Sequence, residues 1–322
     1  MKKYIDYVKK CNEMLKQASK RCGISVPSLW LDYIWCVIRH RTLIKQYVYS
    51  EYWTLSESVR RAGLTYSRLV SLMDSHTDKS KVCLLRDKWI FNEYFKEFVS
   101  RDWLYVKDST FEEFKAFCEK HDCLFIKPAD SQEGKGIRLY KQSENSEVKL
   151  YDLFLALRAE ATMVEECIRQ NSKMCFGTRS VNTIKVTTVA DSNDNVKVLK
   201  AMLRVGVGDS IMDNLSAGGA IYDIDIDGGF VSSYGYGKHG EKHVYHPGSK
   251  NVLLGFEIPN WDKVIKCAID AHKKIASIKI IGWDVAVTEK GVELIEGNHN
   301  PDYLPIEYGT RGFYVKMKNA LK

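Results

Sequence analysis

The chain has 322 residues, 45% hydrophobic and 11% aromatic, enough for a real core spread over two or three lobes around one cleft. Its nine cysteines are odd in number and lack CxxC spacing, which argues against a disulfide framework or a zinc module. Their apolar settings suit reduced thiols in a cytoplasmic protein. The N-terminus has no signal-peptide core, and its most apolar run, 29–38, is far short of the ~20 residues of a membrane span.

The net charge of +7 is concentrated. Residues 1–61 hold 12 Lys/Arg against 5 Asp/Glu, so the remainder is balanced. Such a surplus is usually a solvated helical face; the sharper reading is a surface that meets anionic lipid or a phosphorylated substrate. No nucleic-acid partner is expected.

Residues 1–78 read as a helical N-terminal region: Tyr4, Tyr7, Val8, Cys11, Met14, Leu15 and Ala18 recur at helical spacing. From there the pattern mixes. A helix is expected over 87–99 and a short strand at 103–106. Thr110 and Glu113 form a capping box opening a helix that runs to about His121. Strands follow at 123–127, ending in Pro128, and at 136–141, then a helix over 150–160 and a strand over 162–168. The second half is strand-rich, with β runs at 181–190 and 196–205 joined by an Asp-Ser-Asn-Asp-Asn turn. Short strands are expected at 220–226 and 230–234, a helix capped by Asn260 to about Ser277, strands at 280–288 and 291–298, and a last helix from near Thr310. The layout is α+β with mainly antiparallel sheets.

The C-terminal hairpin carries the sharpest chemistry. A three-residue loop, Glu289-Lys290-Gly291, would pair Thr288 with Val292 and set Asp284 opposite Glu296. Side chains alternate along a strand, so Glu296 and Asn298 share a face. Two carboxylates and an amide oxygen among apolar neighbours need a partner, and hard oxygen ligands of this kind suit Mg²⁺.

Upstream, Phe-Ile-Lys127-Pro-Ala-Asp-Ser131-Gln-Glu-Gly134-Lys-Gly136 delivers a lysine into a small polar loop whose glycines let backbone N–H groups approach phosphate. Exposed backbone at Glu165 to Ile168 could read an adenine edge. Lys185 and Arg204 interrupt apolar strands, so each should face a cleft or a carboxylate, or form a structural salt bridge. Asp213-Asn214 and the glycine-rich stretch beyond have the composition of a mobile cover, in which His239, His243 and His246 read as surface histidines rather than metal ligands.

In this order, Lys88, Lys127, the glycine loop, Val-Glu-Glu166, Asn-Thr-Ile-Lys185, Leu-Arg204-Val-Gly, Gly-Trp-Asp284 and Glu296-Gly-Asn298 resemble the ATP-grasp superfamily, most closely its sugar-transfer-associated group linked to polysaccharide biosynthesis. The resemblance covers about residues 80–305. It implies an ATP-grasp fold in which ATP lies between two α+β lobes, 79–168 and 169–322. Lys88 and Lys127 would contact phosphates under a loop containing Ser131, Gly134 and Gly136; Glu165, Glu166 and Ile168 would contact adenine; Asp284, Glu296 and Asn298 would hold Mg²⁺; Lys185 and Arg204 would be catalytic. The implied reaction activates a carboxylate as an acyl phosphate, which an amine then attacks; the substrates would be small and possibly sugar-linked. Two departures stand out: lysine at 185 where related sequences more often have arginine, and Gly282 where many peptide-type ligases have arginine. A kinase on the same scaffold and a non-catalytic nucleotide-binding protein are the alternatives.

Overall fold

The computed structural model describes residues 2–128, 136–141, 147–213, 215–302 and 312–322. The chain opens with five helices: α1 (Lys2–Cys22), α2 (Val26–His40), α3 (Ile44–Tyr49), α4 (Glu57–Ala62) and α5 (Tyr66–His76). Ser25 caps α2 through its side chain and Pro27 occupies the first turn, where a missing N–H costs nothing. Cys11, Leu15, Leu29, Tyr33, Cys36 and Tyr47 bury one face of these helices in a core of their own. A half-buried pair, Arg60 to Asp32, ties α4 back to α2.

Two short helices, α6 (Cys83–Arg86) and α7 (Lys88–Tyr94), lead to the first sheet. It comprises β1 (Trp103–Tyr105), β2 (Cys123–Pro128), β3 (Arg138–Lys141) and β4 (Thr162–Glu166), antiparallel in the order β1-β4-β2-β3. Helices α8 (Phe111–Lys120) and α9 (Glu147–Ala159) cover one face through Phe114, Cys118, Phe154 and Leu157. The capping box forms as the sequence predicts: Thr110 Oγ1 accepts from Glu113 N at 3.2 Å and Glu113 Oε2 accepts from Thr110 N at 2.8 Å.

The second sheet is larger. It holds β5 (Thr183–Ala190), β6 (Val196–Val205), β7 (Ala220–Asp223), β8 (Gly235–Tyr236) and β9 (Lys242–His243), followed after helix α10 (Trp261–Lys273) by β10 (Ile280–Thr288) and β11 (Gly291–Asn298). The order is β11-β10-β5-β6-β7-β8-β9, all antiparallel. β5 and β10 are β-branched and buried on both faces, as central strands should be. One face packs against α10, α6 and α7, where Trp283 meets Phe95 edge-on at 5.4 Å. Truncating Phe95 to alanine should cost roughly 3–5 kcal/mol. The opposite face is half roofed: α5 and the last helix, α11 (Phe313–Ala320), cover Val189, Leu199, Met202 and Ile280.

Several expectations change. Asn260 precedes α10 with φ of 56° and makes no side-chain cap bond. Over 230–234 there is no strand, only isolated bridges at Phe230 and Val231. Pro128 ends β2, which runs between β4 and β3, because the proline stands at the strand's last position. Thr310 lies outside the described residues, and α11 begins at Phe313.

Candidate active site

The charges lie on the large sheet's second face, beyond the part that α5 and α11 cover. Asp284 on β10 stands opposite Glu296 on β11 and opposite Lys185 on β5. That register is reached by a different route from the one expected. The turn is two residues, Thr288 pairs with Gly291, and a bulge beside Asp284 leaves Ile295 without a partner and restores the Asp284–Glu296 pair. Between Glu296 and Asn298, Gly297 leaves no room for a side chain: a Cβ there would lie 2.8 Å from the Trp283 ring and 2.9 Å from Leu85.

Asp284 is 2% exposed. Its Oδ1 accepts from Lys185 Nζ at 2.7 Å and its Oδ2 from Arg204 Nη1 at 2.9 Å. Arg204 also donates through Nη2 to Asp213 Oδ1 at 2.7 Å. Burial pushes the Asp284 pKa upward, but the two cations outweigh it and hold the carboxyl below its usual value. Burial likewise opposes the Arg204 charge, and Asp213 and Asp284 overcome it. Asp213 is not part of a mobile cover: its Oδ2 accepts from the Thr183 N–H at 3.0 Å, and its carboxylate is buried. Asn214 lies outside the described residues. Asn182, buried beside this cluster, donates to Met174 O and accepts from Gly206 N, so it fixes the end of β5.

Glu296 is exposed, and Asn298 donates its Nδ2 to Glu296 Oε1 at 2.9 Å. Asp284 has both oxygens paired to Lys185 and Arg204, and Glu296 and Asn298 stand beside it nearer the surface, so the three form an all-oxygen donor set. That chemistry fits Mg²⁺ held with substrate phosphates. At Gly282 a Cβ would lie 2.9 Å from Pro301, and the Lys185 stem is 3.6 Å away. The space in which an arginine would stand is taken by Pro301 and Lys185.

On the small sheet, Lys127 stands one residue before the end of β2, and its ammonium pairs with Glu165 Oε2. Lys88, at the start of α7, donates to Pro128 O at 3.1 Å, so both lysines meet where β2 ends. Gly136 sits at the turn into β3; Ser131 and Gly134 lie outside the described residues. Glu165 differs from expectation. Its backbone is laddered on both sides, to Trp103 and to Phe125, and its side chain is enclosed by Lys127, Arg101 and Asn92. It offers no exposed edge for a base. Glu166 points to the other face and accepts from Asp102 N at 3.2 Å. Past it, Ile168 begins the crossing between sheets, where Asn171 N donates to Val287 O at 2.9 Å. Cys167 N still donates to Cys123 O at 3.3 Å, so the part of this segment beyond the sheet begins at Ile168.

Sequence reasoning missed Arg101. Fully buried, it donates to Glu165 on β4 and to Glu293 Oε2 and Leu294 O on β11, bracing the two sheets. Burial disfavours its charge, and Glu165 and Glu293 more than restore it. Its polar sequence setting carries no periodic signal. The histidines also divide: His246 is 1% exposed and packs at a tilt against Phe176, with its Nδ1 accepting from Gly248 N, while His239 bonds Tyr49 Oη at 2.9 Å.

Among solved structures, the chain is similar to an ADP complex of N5-carboxyaminoimidazole ribonucleotide synthetase, at 11% identity over 74% of this chain and 51% of that one, with a TM-score of 0.46. It is also similar to the ATP-grasp ligase PsnB complexed with minimal precursor, Mg and ADP (14% identity, 72% and 55% coverage, TM-score 0.43). The D-alanine-D-alanine ligase from Coxiella burnetii gives 14% identity, 76% and 55% coverage, and a TM-score of 0.44. The chain spans about half the length of these structures. No curated protein matches the sequence. The family model described as sugar-transfer associated ATP-grasp matches residues 67–313, from α5 through both sheets to the start of α11. The chain belongs to the sugar-transfer associated ATP-grasp family.

Proposed function

We propose that this protein is an ATP-dependent carboxylate–amine ligase acting in the cytoplasm on polysaccharide or cell-envelope precursors, with residues 79–168 and 169–322 as the lobes that enclose ATP. The observation that carries the reading is the Asp284 carboxylate, buried between Lys185 and Arg204 and facing Glu296 across the hairpin. Family membership supports it.

In this reading Lys88 and Lys127 bind the nucleotide's phosphates, and backbone near Ile168 meets adenine. Asp284, Glu296 and Asn298 would hold Mg²⁺, which supplies neutralisation of the β- and γ-phosphates. A substrate carboxylate oxygen attacks the γ-phosphorus and ADP leaves. The amine then attacks the acyl carbon of the acyl phosphate, and phosphate departs with the bonding pair. Arg204 and Lys185 stabilise the charge that spreads over the transferred group, the largest service such a site performs. The basic N-terminal helices would give peripheral contact with a membrane surface where envelope precursors are handled.

A kinase outcome on the same residues is the second reading, favoured by the loss of room for an arginine at Gly282. An ADP-release screen over amino acids, uronic acids and nucleotide-sugar acids, each with candidate amines, tests the proposal. A product lighter by one water than its two substrates is the expected result. A product heavier by one phosphate makes the protein a kinase, and ATP binding with no turnover on any pair makes it a binding protein.

A further inference from the structure

The N-terminal helices are apolar on more sides than the fold uses. α2 turns Leu29, Tyr33, Cys36 and His40 inward. Its outer stripe, Leu31, Ile34, Trp35 and Ile38, recurs at i, i+3, i+4 and i+7 and is 72%, 48%, 51% and 70% exposed. A helix apolar all round belongs inside something. α1 shows the same excess: before Cys11 it buries nothing, and Tyr4, Ile5 and Val8 stand at least half exposed. Between the two helices runs an apolar groove of about 430 Å³ lined by Tyr7, Ile34, Val37, Ile38 and Leu43.

The charge around this face is mainly positive, with exposed Asp6 the acidic residue on the N-terminal half of α1. Lys2, Lys3, Lys9 and Lys10 on α1, Arg39 on α2, and Arg41 and Lys45 just beyond it are all exposed. Two of the region's five acidic residues are already tied up, Asp32 by Arg60 and Glu57 by Arg61. Arg39 lies over the Trp35 ring at 5.6 Å, an aromatic with a guanidinium beside it. A second copy of the chain would bring a like-charged surface against this one. Tryptophan, tyrosine and long basic side chains around an aliphatic ridge match the chemistry of a bilayer's headgroup boundary.

We propose that the outer stripe of α2 and the N-terminal half of α1 lie on an anionic phospholipid surface, with Leu31, Ile34, Trp35 and Ile38 entering the headgroup–acyl boundary and the flanking lysines and arginines pairing with lipid phosphates. This deepens the proposed membrane contact and rests on it. The geometry does not depend on which substrates are joined. No helix among the described residues is long and apolar enough to cross a membrane, so the contact is peripheral.

The test is flotation of the full chain with phosphatidylcholine vesicles containing about 30% phosphatidylglycerol, against vesicles of phosphatidylcholine alone. Wild type should float with the anionic vesicles and release as salt screens the charges. Ile34→Asp with Ile38→Asp should weaken binding at least about tenfold, and Arg39→Gln with Arg41→Gln should weaken it on anionic vesicles only. Both variants should keep wild-type nucleotide binding, which shows that they fold and separates this test from that of the ligase. Absence of wild-type flotation, or equal flotation by the aspartate variant, overturns the proposal. So does a solution dimer that the aspartate variant dissolves, since that gives the face to a second copy.

Discussion

The two sheets each bury a carboxylate among cations, with opposite consequences. On the small sheet, Glu165 is walled in by Arg101, Lys127 and Asn92, and burial's upward push on its pKa is overwhelmed by Arg101 and Lys127, so it stays far below the ordinary carboxylate range. On the large sheet, Asp284 is as deeply buried but stands opposite exposed Glu296. The first arrangement braces the two sheets; the second, under the proposed function, serves a ligand. Depth of burial does not separate a site from a strut. What separates them is whether any face of the cluster remains for a ligand.

The comparison is broken most directly by charge removal. Asp284→Asn keeps the side chain's shape and should lower ATP turnover by roughly a thousandfold or more while circular dichroism stays native. Turnover within tenfold of wild type would make Asp284 a strut like Glu165. Arg101→Met removes one partner from a buried network and should cost roughly 3–5 kcal/mol in denaturant unfolding. A loss under about 1 kcal/mol would remove the brace.

The large sheet also carries a buried histidine. His272 donates through Nε2 to Ile278 O at 2.8 Å, its Nδ1 lies 2.6 Å from Thr188 Oγ1, and burial pushes its pKa down to about 4. Its folded value lies below its ordinary value of 6.5, so the unfolded chain takes up the proton first as pH falls. Stability is expected to fall by about 2–3 kcal/mol between pH 6.5 and 4, with His272→Gln flattening that slope. An identical slope in the variant would place the effect elsewhere. The smallest effect belongs to the small sheet: Lys127→Ala should weaken nucleotide binding by about tenfold in calorimetry, since Arg101 still neutralises Glu165. Unchanged affinity would show that Lys127 serves only the brace.

Much of the open site was legible because its charges interrupt apolar strands. Lys185, Arg204 and Asp284 stand out in β-branched runs, and alternation alone put Glu296 and Asn298 on one face. The hairpin's turn was misread because Gly291 fitted a three-residue loop, and only the bulge at Ile295 preserved the pairing. Arg101 was hidden because a long-range brace leaves no local pattern: its partners lie 64 and 192 residues away. The backbone at Glu165 read as exposed for a related reason. A strand's end looks open in sequence, and only the neighbours β1 and β2 show that it is not. The outer stripe of α2 was visible as an apolar run, but nothing local said that both sides of the helix would be apolar and one would stay uncovered.

The central claim is that Asp284, Glu296 and Asn298 gather a divalent ion onto a nucleotide's phosphates. Electron paramagnetic resonance of Mn²⁺ with ADP tests it most directly. The account predicts a protein-bound signal with phosphorus coupling in wild type, lost or weakened at least about tenfold in Asp284→Asn and Glu296→Gln. The same signal at the same affinity in both variants would contradict it.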